Sequence, residues 1–175
     1  FRRKAQLSNL RKDIKIVSMR GNIDTRIDKL KNGEFDAIIL SLAGLKMLHL
    51  EKEAKEIFSD EQMLPAIGQG AIALQCRLDD QKTLDILKMI NDQESYCCIQ
   101  AERALLEAIG GDCDTAVGGL AKLWNNKIIL KSELFSSDGS KKFVAEGSGN
   151  FKEAEKIGYK VGKELLKKAG PDFKV

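Results

Sequence analysis

No stretch of this chain approaches the roughly 20 consecutive apolar residues that a membrane-spanning helix requires. Its first residues, Phe1-Arg2-Arg3-Lys4-Ala5-Gln6-Leu7, lack the apolar core of a secretory signal. The expected compartment is the cytoplasm. Cysteine is scarce, since Cys76, Cys97, Cys98 and Cys113 are too few in 175 residues for a disulfide scaffold, and adjacent Cys97 and Cys98 pair poorly. They read as reduced thiols. There is no CxxC spacing and His49 is the one histidine, so neither a zinc set nor a nucleophile-base pair is expected. Aromatic residues make up 6% of the chain, and only Phe1 lies among the basic residues near the start, which leaves no stacking platform for nucleic acid. Gly68-Gln69-Gly70 lacks the lysine of a phosphate loop and the third glycine of a dinucleotide fingerprint, and reads as part of a hinge.

What is present favours a folded chain. With 43% apolar residues and a net charge of only +3, there is enough surface to bury to offset ordering entropy. The charge is uneven: residues 1–35 hold ten Lys/Arg against four acids, and the rest holds 19 against 22. A basic first fifth calls for an anionic partner.

Hydrophobic periodicity divides the chain. Ile14 to Met19 alternates and Asp36 to Ser41 is a short apolar run, so both read as strands, flanking a helix from Asn22 to Lys31 with Ile23, Ile27 and Leu30 on one side. That is a parallel β-α-β unit. A short helix is expected over Ala43 to Leu48, a more polar one near residues 51–58, and a strand over Ala71 to Arg77 beyond the Pro65 and Gly68-Gln69-Gly70 break. From residue 80 the order becomes two helices (81–90 and 93–109), three strands (115–123, 127–135 and 141–146) and a last helix (152–168). Asn125-Asn126 and Ser137 to Ser140 supply the turns of this small antiparallel sheet.

Within Met19-Arg20-Gly21-Asn22-Ile23-Asp24-Thr25-Arg26 an expected strand ends, a glycine admits close approach, and a helix N-terminus opens with free N–H groups. With Arg20 and Arg26 beside it, and Arg2 and Arg3 earlier, this has the make-up of an anion site; arginine forks match carboxylates bidentately. A solvated basic face is the alternative. Cys113 sits in a Gly110-Gly111-Asp112-Cys113-Asp114 turn that would present a thiol, although the flanking acids raise a thiol pKa.

These motifs, together with Leu30-Lys31-Asn32-Gly33-Glu34-Phe35-Asp36-Ala37-Ile38-Ile39-Leu40 and Leu64-Pro65-Ala66-Ile67-Gly68-Gln69-Gly70, resemble the porphobilinogen deaminase (hydroxymethylbilane synthase) family along essentially the whole chain. The resemblance implies a transferase of tetrapyrrole (haem) biosynthesis that condenses four porphobilinogen molecules into hydroxymethylbilane, releasing ammonia at each step. It implies a covalent dipyrromethane cofactor with Cys113 at the thioether position. Arg2, Arg3, Arg20 and Arg26 match arginines that hold cofactor and substrate carboxylates, and Gly21 and Asn22 join Arg20 and Arg26 as substrate-binding residues. Asp112 stands where the family usually has glycine, and Ala116 where proline usually follows.

The implied fold is α/β and α+β: a parallel β-α-β lobe of periplasmic-binding-protein type plus a three-stranded antiparallel sheet packed with helices. The expected division is domain 2 over residues 1–64, a hinge and a strand returning to an otherwise missing domain 1 over 65–79, and a cofactor-bearing domain 3 over 80–175. The family's catalytic aspartate precedes the matched motifs, so no catalytic residue is assigned and the chain, read as truncated, is expected to be inactive alone. Porphobilinogen and the growing polypyrrole are the expected partners, with no nucleic acid, membrane or metal, for a monomer. A two-lobed carboxylate-binding module without catalysis is the alternative function.

Overall fold

The computed structural model describes residues 1–111, 115–136 and 139–170. Along the chain run α1 (Arg2–Leu10), α2 (Ile23–Lys31), α3 (Leu42–Met47), α4 (Gln81–Ile90), α5 (Gln93–Ile109), β1 (Val117–Trp124), β2 (Lys127–Phe135), β3 (Lys142–Asn150) and α6 (Ala154–Ala169), with single 3-10 turns at Glu51–Glu53 and Phe151–Glu153. Contacts divide it into two units, one of residues 13–59 and one of residues 1–12 with the chain from residue 60 onward.

In the smaller unit, α2 forms where the spacing of Ile23, Ile27 and Leu30 places it, with Ile27 buried. Helix α3 lies close to it, because a β-carbon on Gly44 would come within 2.6 Å of Ile23 Cδ1. The flanking strands expected over Ile14–Met19 and Asp36–Ser41 do not form: the described residues contain one sheet, made of β1, β2 and β3. An alternating sequence reports readiness to pair, but a ladder needs a neighbour in register. Without one, Ile14 and Val17 stay 37% and 51% exposed. The polar helix expected near residues 51–58 shrinks to the turn Glu51–Glu53, which buries no residue; so short a helix is marginal without a packed apolar face.

The larger unit is a helix-on-sheet sandwich. Asp80 caps α4 by accepting the Thr83 N–H at 3.0 Å, and Asp92 caps α5 by accepting the Ser95 N–H at 2.7 Å. Helix α5 ends in a Schellman pair, Gly110 N–H to Glu107 O and Gly111 N–H to Leu106 O. The sheet is antiparallel in the order β1-β2-β3. Strand β2 alternates as a half-buried strand should, with Ile128, Leu130, Ser132 and Leu134 all buried on the helix side. The buried Ser132 hydroxyl donates to Ala145 O at 2.7 Å, so its polar group is satisfied. Asn125 and Asn126, with φ of 48° and 58°, make the two-residue turn between β1 and β2.

Strand β3 extends to Asn150, past the expected end at Glu146. Gly147 and Gly149 of this extension leave room for α6: a β-carbon on Gly147 would lie 2.5 Å from Val161 Cγ2. Between α5 and α6 the approach is closer still, with Gly158 and Gly162 of α6 set against the backbone of Ala101 and Leu105. The strand expected over Ala71–Arg77 has no ladder, and Ile72 and Leu74 are left exposed.

Candidate functional site

The smaller unit places four of the expected residues at one corner. Asn22 is the N-cap of α2 with extended backbone, yet its side chain makes no capping hydrogen bond. No side chain of the cap therefore takes the first-turn N–H groups, which keep the helix's partial positive charge. Arg26, one turn along, donates Nε–H to Gly21 O at 2.7 Å. This bond folds the Arg26 guanidinium back over the start of the helix, onto the residue that follows exposed Arg20 in the chain.

Gly21 itself has φ of +122°, which side chains rarely adopt, and a β-carbon there would stand 3.2 Å from Thr25 Cγ2. Replacing Gly21 by alanine is expected to cost about 1–2 kcal/mol from backbone strain alone. Thermal unfolding of the variant checks this, with an unchanged midpoint as the contrary result.

Arg2 and Arg3 lie at the start of α1 in the other unit. The Arg2 guanidinium is partly buried and donates to Leu64 O and, at a long 3.5 Å, to Gln69 Oε1. Burial, helped by the charge of Arg3, lowers its pKa to about 10. Arg2 is thus engaged with the Leu64–Gly70 turn, while Arg3 is half-buried beside it. Cys113 lies outside the described residues, as do its neighbours Asp112 and Asp114.

Two residues that sequence reasoning passed over hold this turn. The buried Gln6 amide pairs twice with the Leu64 backbone, donating to its O at 3.0 Å and accepting its N–H at 2.7 Å. Glu102 of α5, 3% exposed, accepts the N–H of Gly68 at 2.7 Å and of Ala121 at 2.9 Å. Burial raises the Glu102 carboxyl above the usual range, opposed by the two N–H donors. A signal for it existed: at helical spacing, residue 102 falls on the same face as Cys98, Ala101 and Leu105, all buried.

Beside it, residues including Gln69, Glu94, Cys98, Glu102 and Lys122 line a cavity of about 390 Å³. Burial first, then Glu102, Glu94 and Cys97, pushes the Cys98 thiol up to about 11, which makes it a poor nucleophile. Cys76, Cys97 and Cys98 are free thiols. Among the described residues no group of three His, Cys, Asp or Glu is arranged to hold a metal ion, and no helix is long and apolar enough to cross a membrane.

The corner built by Arg20, Gly21, Asn22 and Arg26 has the chemistry to take carboxylates, and comparison with known proteins identifies the family. Residues 1–85 match the family model described as porphobilinogen deaminase, dipyromethane cofactor binding domain, and residues 96–167 match porphobilinogen deaminase, C-terminal domain. A porphobilinogen deaminase of Ehrlichia chaffeensis is 45% identical over 165 residues, which cover 94% of this chain and 55% of that relative. The chain therefore spans about half the length of the curated relative it matches. Two consecutive domain models of one family, matched in order along nearly the whole chain, leave one conclusion: the chain belongs to the porphobilinogen deaminase family.

Proposed function

We propose that this chain provides the cofactor- and substrate-carboxylate-binding part of a hydroxymethylbilane synthase. Such an enzyme joins four porphobilinogen molecules into a linear tetrapyrrole with release of ammonia, in haem biosynthesis. The observation that carries the proposal is the α2 corner, where Arg26 is tied to Gly21 O beside Arg20 and an N-cap without side-chain closure. Two arginine forks and a helix N-terminus make a donor set for carboxylates, which is what acetate- and propionate-bearing pyrroles offer.

A dipyrromethane, when bound, supplies the pyrrole end to which further pyrroles are added. The residues of this chain do the holding: Arg20 and Arg26 neutralise and orient carboxylates, with Gly21 and Asn22 letting the ligand approach backbone. Arg2 and Arg3 hold further carboxylates, and Cys113 is the attachment residue. None of these is assigned the proton-handling role.

The reading extends to the fold. In a family-size chain that supplies a pairing neighbour, residues 14–19 and 36–41, which form no ladder in this structure, become the strands of a parallel lobe of periplasmic-binding-protein type around α2, supported by their apolar pattern. Residues 1–64 act as domain 2, 65–79 as hinge and returning strand, and 80–175 as the cofactor-bearing domain 3. The protein works as a cytoplasmic monomer on porphobilinogen and the growing polypyrrole.

Intact-mass spectrometry of the protein tests the proposal, expressed both as this chain and as a full-length family-size chain. A dipyrromethane adduct that disappears completely in Cys113→Ser supports it. An unmodified full-length protein that binds dicarboxylates reversibly overturns it in favour of a carboxylate-binding module.

A further inference from the structure

The turn Leu64–Gly70, whose glycines read as a hinge in sequence, is held from three elements of its own unit. Helix α1 grips it through the double pairing of the Gln6 amide with Leu64. Strand β1 grips it through Gly119 N–H to Pro65 O at 3.0 Å, and Ile67 fills the space over Gly119, where a β-carbon would lie 2.4 Å from Ile67 Cδ1. Helix α5 grips it through Glu102, whose two carboxylate oxygens divide between the turn (Gly68 N–H) and the sheet (Ala121 N–H). The next residue, Gln69, accepts from Ala66 N–H at 3.3 Å and from the Arg2 guanidinium.

We propose that Glu102 is a positioning residue: by tying Gly68 to β1 it fixes the turn, and through Leu64 and Gln69 it sets where the Arg2 guanidinium points. The consequence for ligand binding rests on the reading of Arg2 as a carboxylate-binding residue; the positioning itself does not. Both partners of Glu102 are donors, so the site needs two acceptors and no donor, which a carboxylate supplies and a carboxamide of the same size does not. Glu102→Gln must turn its NH2 toward one of the two N–H groups, losing that bond and leaving a buried donor unmatched. The turn then loosens while the volume filled at residue 102 is unchanged.

Amide hydrogen exchange, with no ligand present, distinguishes this role from simple packing. In the unmutated protein the Gly68 amide should be protected to a degree comparable with Ala121, although it sits in a glycine-rich turn. In Glu102→Gln, exchange at Gly68 or Ala121, and at the Arg2 Nη–H groups that donate to Leu64 O and Gln69 Oε1, followed by NMR, should accelerate by about ten- to a hundredfold, the effect of losing a hydrogen bond to a charged group. Exchange at Leu130 and Ser132 of β2 should not change.

Unprotected Gly68 in the unmutated protein overturns the proposal, whatever becomes of the variant. So does a variant in which all three probes keep their rates, or one in which β2 accelerates equally, since Glu102 would then serve the fold as a whole. Because the probe is solvent deuterium, a protein that bound no pyrrole would refute the function proposed above and leave this test standing.

Discussion

Gly158→Ala should destabilise the larger unit by about 3 kcal/mol or more, the upper part of the range for overpacked sites. The β-carbon would lie 1.9 Å from the carbonyl oxygen of Ala101 and 3.0 Å from Ala104 Cβ. Backbone cannot rotate aside as a side chain does, so α6 would have to move away from α5 as a body. Alanine favours a helix over glycine by about 1 kcal/mol, which would make the substitution stabilising on an exposed face. Here the clash wins, because displacing α6 also opens its contact with Gly147 on β3, where Val161 fills the space left by the missing side chain. The midpoint of thermal unfolding should fall by roughly 6–12 °C. A rise in midpoint would mean that the two helices stand further apart than described. Gly162, where a β-carbon would lie 2.7 Å from Leu105 O, shares the interface, so the double variant should not show the sum of the two losses.

Leu130→Ala should cost about 3–5 kcal/mol, toward the upper end for buried leucine. Leu130 is fully buried at the centre of β2, and the residues opposite it in register are Ala121 on β1 and Gly147 on β3. Neither has a side chain able to swing into the space that the leucine leaves, so the cavity persists and its cost is near maximal. Strand pairing through the backbone survives, and the sheet signal should persist while the midpoint falls. A loss below about 1 kcal/mol would show that the helices collapse onto the sheet. Since domains of this kind have only about 5–15 kcal/mol in total, either substitution takes a substantial share.

Elements whose signal is local could be read from the chain alone. Helices α2, α4, α5 and α6 carry a helical apolar stripe, α4 and α5 also begin at aspartate caps, and the β1-β2 turn needed only Asn125 and Asn126. The α2 corner was legible for the same reason, since Arg20, Gly21, Asn22 and Arg26 lie within seven consecutive residues. The segments 14–19, 36–41 and 71–77 misled because a strand is a property of two segments, and their sequences describe only one. Glu102 and Gln6 escaped because their partners lie far along the chain, at Gly68, Ala121 and Leu64.

By itself the sequence determined the family, the basic start that calls for an anion, and the local helices, since each rests on residue identity or near neighbours. Tertiary structure alone decided that the glycines of α6 are there for close packing, that the Gly68-Gln69-Gly70 turn is clamped, and that Arg2 is engaged with it. Those outcomes depend on which distant backbone groups meet, and a buried N–H or carbonyl without a partner is costly enough to select the few side chains that can reach it.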